Sequence, residues 1–258
     1  MKRRLITSVQ IFTLAGSISL LGNATGFAAF ANLPSPTDET PGVSLAPNTL
    51  GLTGTVLRTF DSTFVDNAVP TAFASWMLRS FVVDRGAGLL DFYYQLTNTT
   101  PVPRIADPDQ EFYRIKTTGG FDPRLIVSVA QTTDISLLVA GVDSGFSAAS
   151  YITGANLKPA ATADRDVGTI GSVGFDFPIQ PPVPFVDDPR NIGPGQVSSF
   201  LVVRTNSNTF ALAETRISGA ATSLSVAFAA VPEPSSALFG LALLGTAFTR
   251  RRKWASAN

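Results

Sequence analysis

The chain of 258 residues contains no cysteine and no histidine. Without cysteine there is no disulfide to staple an exported fold, so stability must come from a buried core. The same absences exclude a cysteine nucleophile, a Ser-His-Asp triad and any histidine general base. Zinc sites built from Cys and His go with them, and only carboxylate sites are left for a metal. Basic charge is also scarce over most of the chain, and its few clusters sit at the two ends.

At the N-terminus, Met1-Lys2-Arg3-Arg4 precedes a mostly apolar stretch from Leu5 to Leu21, which closes on small residues at Ala29-Phe30-Ala31. A positive start, an apolar centre and an A-x-A site are the parts of a secretory signal peptide. It is assigned to residues 1–31, and cleavage after Ala31 leaves Asn32 as the new N-terminus. A retained N-terminal anchor is the alternative. Of 19 basic residues three lie in this segment and four in the C-terminal tail, which leaves 12 between Asn32 and Ala230. Of 19 acidic residues only Glu233 lies outside that span, which leaves 18 and a net charge of −6. An acidic body has no basic patch to displace counterions, which argues against nucleic acid and anionic lipid as its partners.

Residues 32–49, "NLPSPTDETPGVSLAPNT", carry four prolines and no hydrophobic period, and read as an extended polar lead. Residues 50–230 are long enough for one core and consist of short runs with period-2 patterning. In "LLDFYYQLT" the residues Leu90, Phe92, Tyr94 and Leu96 fall on one face, with Asp91, Tyr93, Gln95 and Thr97 on the other. That is the pattern of a half-buried strand. "SLSVAFAA" repeats it, with Leu224, Val226 and Phe228 against Ser223, Ser225 and Ala227. Further strands are predicted at 54–60, 72–84, 111–117, 125–130, 135–142, 168–177, 198–204 and 209–217. Turn clusters such as Arg85-Gly86-Ala87-Gly88 and Gly193-Pro194-Gly195 separate them. No long amphipathic helix competes, and the pattern predicts an all-β, antiparallel β-sandwich or jelly-roll-like ectodomain.

The tail, residues 231–258, begins Val231-Pro232-Glu233-Pro234-Ser235. The prolines remove backbone donors and keep the tripeptide extended, with one carboxylate as a charged handle; the same prolines would equally suit the start of a helix. An apolar helix is expected over 235–249. The uncharged residues 236–249 span roughly 21 Å as a helix, short of the roughly 30 Å hydrocarbon core. Arg250, Arg251, Arg252 and Lys253 resist crossing and hold that end in the cytoplasm, with the body outside.

Motif, apolar run, basic cluster and position together resemble the PEP-CTERM sorting signal. The resemblance covers about the last 28 residues and the expected signal peptide. It implies a substrate of exosortase, a membrane-embedded, sortase-like cysteine transpeptidase of Gram-negative bacteria that make exopolysaccharide. Pro232, Glu233 and Pro234 are then the recognition residues, and cutting at or near them releases the body from its tail. The stretch "NIGPGQVSSFLVVRTNS" (191–207) is similar to a turn and strand of some PEP-CTERM ectodomains, which implies a β domain and no activity.

Within the body, Asp107, Asp109 and Glu111, with Asp164/Asp166 and Asp187/Asp188, offer oxygen ligands for calcium, but the spacing is not that of an EF-hand loop. Solvated loops account for the same residues. A carboxylate pair roughly 5–9.5 Å apart would suit glycoside hydrolysis. Tyr93, Tyr94, Tyr113, Tyr151, Trp76 and Trp254 supply rings for stacking on sugars or for packing the core. Asn98-Thr99-Thr100 fits a glycosylation acceptor.

The expectation is an exported, non-enzymatic protein of the cell surface or extracellular matrix, anchored transiently in the inner membrane before exosortase processing. No cofactor and no metal are expected; matrix exopolysaccharide is a candidate partner. The alternatives are an extracellular carbohydrate-active hydrolase using paired carboxylates and a simple tail-anchored membrane protein.

Overall fold

The computed structural model describes residues 30–33, 43–46, 52–69, 72–99, 114–118, 125–165, 172–177, 192–218 and 222–231. The expected signal peptide up to Ala29 and the tail from Pro232 onward lie outside them. Thirteen strands form among the described residues. They are β1 (Ala31–Leu33), β2 (Val43–Ser44), β3 (Gly54–Val69), β4 (Ala72–Asp84), β5 (Leu90–Asn98), β6 (Arg114–Thr118), β7 (Val127–Thr132), β8 (Leu138–Ala140), β9 (Thr162–Arg165), β10 (Ser172–Asp176), β11 (Phe200–Thr205), β12 (Phe210–Ser218) and β13 (Thr222–Ala230). The helical content of these residues is a single 3-10 turn at Ala148–Ser150. No described helix is long and apolar enough to cross a membrane.

The strands build a seven-stranded sheet, β1-β7-β11-β5-β4-β3-β8, and a six-stranded sheet, β13-β12-β6-β10-β9-β2. Pairing is antiparallel throughout the described ladders with one correction to the expected topology: β8 runs parallel to β3. The chain reaches β8 from β7 by crossing a face of the sheet, where it buries Ile135, so it arrives without a hairpin reversal. The expected strand over 135–142 shrinks accordingly to Leu138–Ala140. The polar lead, for its part, contributes β1 and β2, neither of which has enough residues for a period to show.

One core lies where the two sheets face each other. Leu78, Phe92, Tyr94, Val129 and Leu201 of the first sheet meet Val173, Phe175, Ile217 and Phe228 of the second. A second core covers the opposite face of the seven-stranded sheet. There Phe81, Tyr93, Phe200 and Val202, with Leu138 of β8, are roofed by Ile135, Phe146, Tyr151 and Leu157 from the segment between β7 and β9. This corrects the half-buried reading of β5. Asp91, Tyr93 and Gln95, assigned to a polar face, are buried as fully as Phe92 and Tyr94. Two of the three are matched by polar partners: the Gln95 amide donates to the Ile152 carbonyl at 2.8 Å, and Asp91 is paired with arginines, while Tyr93 enters through its ring, stacked on Phe81.

β13 is also reversed from expectation over its first half. Leu224 is 60 % and Val226 39 % exposed, while Ser225 and Ala227 are buried. The small residues face inward because β13 closes tightly on β3 and β4. The Ser225 hydroxyl donates to that of Ser62 at 2.8 Å, and the Phe228 amide donates to Ser80 Oγ at 3.3 Å. Leu at the position of Ser225 would not fit so close an approach.

Two residues of the expected signal segment are part of the fold. Ala31 pairs with Val129 in β1, and the Phe30 ring lies 3.8 Å from the guanidinium carbon of Arg204. Chains starting at Phe30 and at Asn32 are expected to differ by about 1 kcal/mol, the shorter being less stable. Urea midpoints at unchanged m-value measure this.

Candidate functional site

The sorting residues follow the last strand with no linker. β13 pairs along its full length with β12, ending at Ala230 opposite Phe210. It is also pinned to the other sheet, since the Tyr94 hydroxyl donates to the Phe228 carbonyl at 2.6 Å. One residue further on, the Val231 amide donates to the Thr209 carbonyl at 3.2 Å. Its carbonyl accepts from the Thr209 hydroxyl at 2.7 Å, and Ser207 Oγ lies 3.4 Å from it. The chain is therefore held in place up to the residue before Pro232.

The turn that holds it, Asn206 to Thr209, is braced by its own side chains. Ser207 Oγ donates to the Thr209 carbonyl and accepts from the Thr209 amide, at 3.0 and 3.2 Å. Such hydroxyl-to-backbone bonds replace ladder bonds where a chain reverses. The Ser207 carbonyl takes the Leu90 amide at 3.1 Å, and Asn206 Oδ1 takes the Ile126 amide at 3.0 Å. The "RTNSNT" run (204–209) signals a turn by its Asn, Ser and Thr content. Its role as the seat of the tail's first residue was not legible, because the partner lies 22 residues away.

Beside this turn sits a buried ion cluster. The Asp91 side chain is 1 % exposed and meets Arg204 through Nη2 at 2.7 Å and Nε at 3.1 Å. Arg85 Nε approaches the other oxygen at 3.2 Å, and Arg85 Nη2 donates to the Thr205 carbonyl at 2.9 Å. Burial raises the Asp91 carboxyl above its ordinary value, against the pull of Arg204 and then of Arg85. With both guanidiniums turned onto one inaccessible carboxylate, this cluster ties strand ends together and leaves Asp91 no route to a substrate.

The other candidates separate clearly. Trp76, Tyr93, Tyr94 and Tyr151 are buried, so these four form no stacking platform for a sugar. Tyr93 in particular lies stacked on Phe81, ring centroids 4.7 Å apart, and burial raises its phenol well above the ordinary value. Burial likewise raises Tyr151 to about 12. Asn98 is the last residue of β5, with its amide donating to the Ile192 carbonyl at 3.0 Å, and is closed to a glycan. Asp164 lies half-buried on β9, and the described residues hold no group of three or more acidic side chains able to share a metal. Asp107, Asp109, Glu111, Asp166, Asp187, Asp188, Tyr113 and Trp254 lie outside the described residues, as do Pro232, Glu233, Pro234 and Arg250 to Lys253.

Residues 230–253 match the family described as the PEP-CTERM protein-sorting motif. The match begins at Ala230, the last residue of β13, and ends at Lys253, the last of the basic cluster. The chain thus carries a PEP-CTERM sorting motif, which implies an exported protein of the cell envelope that is processed by exosortase. No curated protein and no solved structure matches the chain.

Proposed function

We propose that the protein is an exported surface or extracellular-matrix component whose body is a non-catalytic β-sandwich and whose tail is a temporary membrane anchor removed by exosortase. The observation that carries this reading is the sorting motif starting on the last residue of a fully paired edge strand. A folded, self-contained body is thereby joined directly to a segment with a delivery role. The sandwich reading follows from two sheets sharing one core. The non-catalytic reading is supported by the lack of cysteine and histidine and by the sealing of Asp91.

In this reading Pro232 and Pro234 keep the cleavage segment extended, Glu233 is gripped through its charge, and Arg250 to Lys253 set orientation. Glu233→Gln is expected to slow processing about 10- to 100-fold, because a hydrogen bond to a charged group is worth about 1.5–3 kcal/mol. Intact-mass measurement of the envelope and secreted fractions tests it. Wild-type chain should lack Arg250–Lys253, and the variant should retain them. Equal trimming of both, or retention of the tail by wild type in cells with active exosortase, opposes the reading.

A further inference from the structure

We infer that, before processing, one particular end of the fold lies against the lipid headgroups: the end formed by the 206–209 turn, the 85–89 turn and Ile126. This rests on the tail acting as a membrane anchor, as proposed above, and adds which surface of the body the anchor presents to the bilayer.

The reason is the length of chain available. Val231 is fixed to Thr209 by two hydrogen bonds, with Ser207 Oγ 3.4 Å from its carbonyl oxygen. Only Pro232 to Ser235 separate it from the uncharged run that starts at Ser236. Four residues reach at most about 14 Å even when fully extended, and the two prolines among them reduce their freedom to fold back. The far end of the body, where the Gly195 amide donates to the Asn98 carbonyl, is separated from Leu90 by the length of β5. Eight steps along a strand amount to about 26 Å. So short a tether holds the near end at the bilayer and keeps the far end off it.

The chemistry of the near end suits that position. Gly86, Ala87, Gly88, Asn206 and Asn208 are exposed and uncharged, and Ile126 is 70 % exposed. Among the described residues the charges there are matched: Arg85 and Arg204 against Asp91, with Asp84 Oδ1 accepting from the Gly86 amide at 2.8 Å. The body as a whole carries −6 and is repelled by anionic headgroups. An end whose described residues set two guanidiniums against two carboxylates meets less of that repulsion, and the tether supplies the rest.

The absence of native cysteine makes the test direct. Asn208→Cys and Ile126→Cys place a fluorophore at the near end, and Pro194→Cys places one at the far end. Each is made in the tail-bearing chain exported by cells without exosortase activity. The labelled chains are mixed with vesicles of phosphatidylethanolamine and phosphatidylglycerol containing a headgroup nitroxide lipid. Flotation with the vesicles and quenching at least about threefold stronger at positions 208 and 126 than at 194 are expected. Flotation with equal quenching at all three sites means that the body lies flat, and overturns the orientation alone. Flotation without quenching at any site also overturns it, because the anchored body then stands clear of the headgroups. Failure to float removes the anchor itself, and with it both this inference and the reading of the tail.

Discussion

Arg204→Ala is expected to lower the free energy of unfolding by about 3–5 kcal/mol, the cost of leaving a buried charge without its main partner. Arg204 makes the 2.7 Å contact and both 3.1 Å contacts to an Asp91 side chain that is 1 % exposed. Its loss leaves Arg85 at 3.2 Å as the remaining cation and also takes the cation from beneath Phe30. Asp91→Asn should cost less, because the guanidiniums it abandons are 26 % and 30 % exposed and water can solvate them. The double variant should therefore be more stable than the sum of the two single losses implies.

The effect has a definite pH dependence. The Asp91 carboxyl lies above its ordinary 3.8 in the folded chain, burial being the largest cause. The folded state thus holds this proton more tightly than the unfolded state. The associated stability is complete below 3.8 and is lost as pH rises through the folded value. Removing Arg204 takes away the strongest lowering influence on that group and extends the window upward. The deficit of Arg204→Ala should consequently be larger at about pH 7 than at about pH 4. Urea melts of the four chains of the double-mutant cycle at both pH values measure it. Additive losses that do not change with pH would count against a coupled pair.

Phe81→Ala is expected to cost about 3–5 kcal/mol by removing the ring at the centre of the second core. Phe81 is fully buried, stacks on Tyr93 at 4.7 Å, and packs against Tyr151, Phe146 and Phe200 at 5.3, 5.5 and 6.1 Å. Two of those rings, Phe146 and Tyr151, belong to the segment that roofs the sheet, so the cavity loosens the roof as well as the strand. Leu224→Ala is the contrasting case. That side chain is 60 % exposed on β13, and its loss should fall within about 0.5 kcal/mol. If the two variants melt together, the second core contributes no stability and the roof is a passive cover.

How much of this could be read in advance differs from element to element. β4 was legible to the residue, Ala72 to Asp84, because a long run of β-formers is bounded by turn residues. β5 was legible as a strand but not in its environment. Period-2 patterning separates two faces without saying whether both are covered, and the cover here comes from residues 135–157, far along the chain. β13 misled for a related reason: size rather than hydrophobicity chose its inner face, where Ser62 and Ser80 receive it closely. The ion cluster carries a faint mark, a lone Asp in an apolar run, but its partners stand at positions 85 and 204.

The sequence by itself determined that the chain is β-rich, that it ends in a sorting motif, and that histidine and cysteine chemistry are closed to it. Each of these depends on residue type or on spacing within a few tens of residues, which linear order preserves. Only the tertiary structure decided that the seven-stranded sheet has two cores, that its four described Tyr and Trp rings are sealed, and that Val231 is fastened against the 206–209 turn. Those outcomes depend on which strand ends become neighbours, and hydrogen bonds between residues such as Thr209 and Val231 exist only after the sheets have closed.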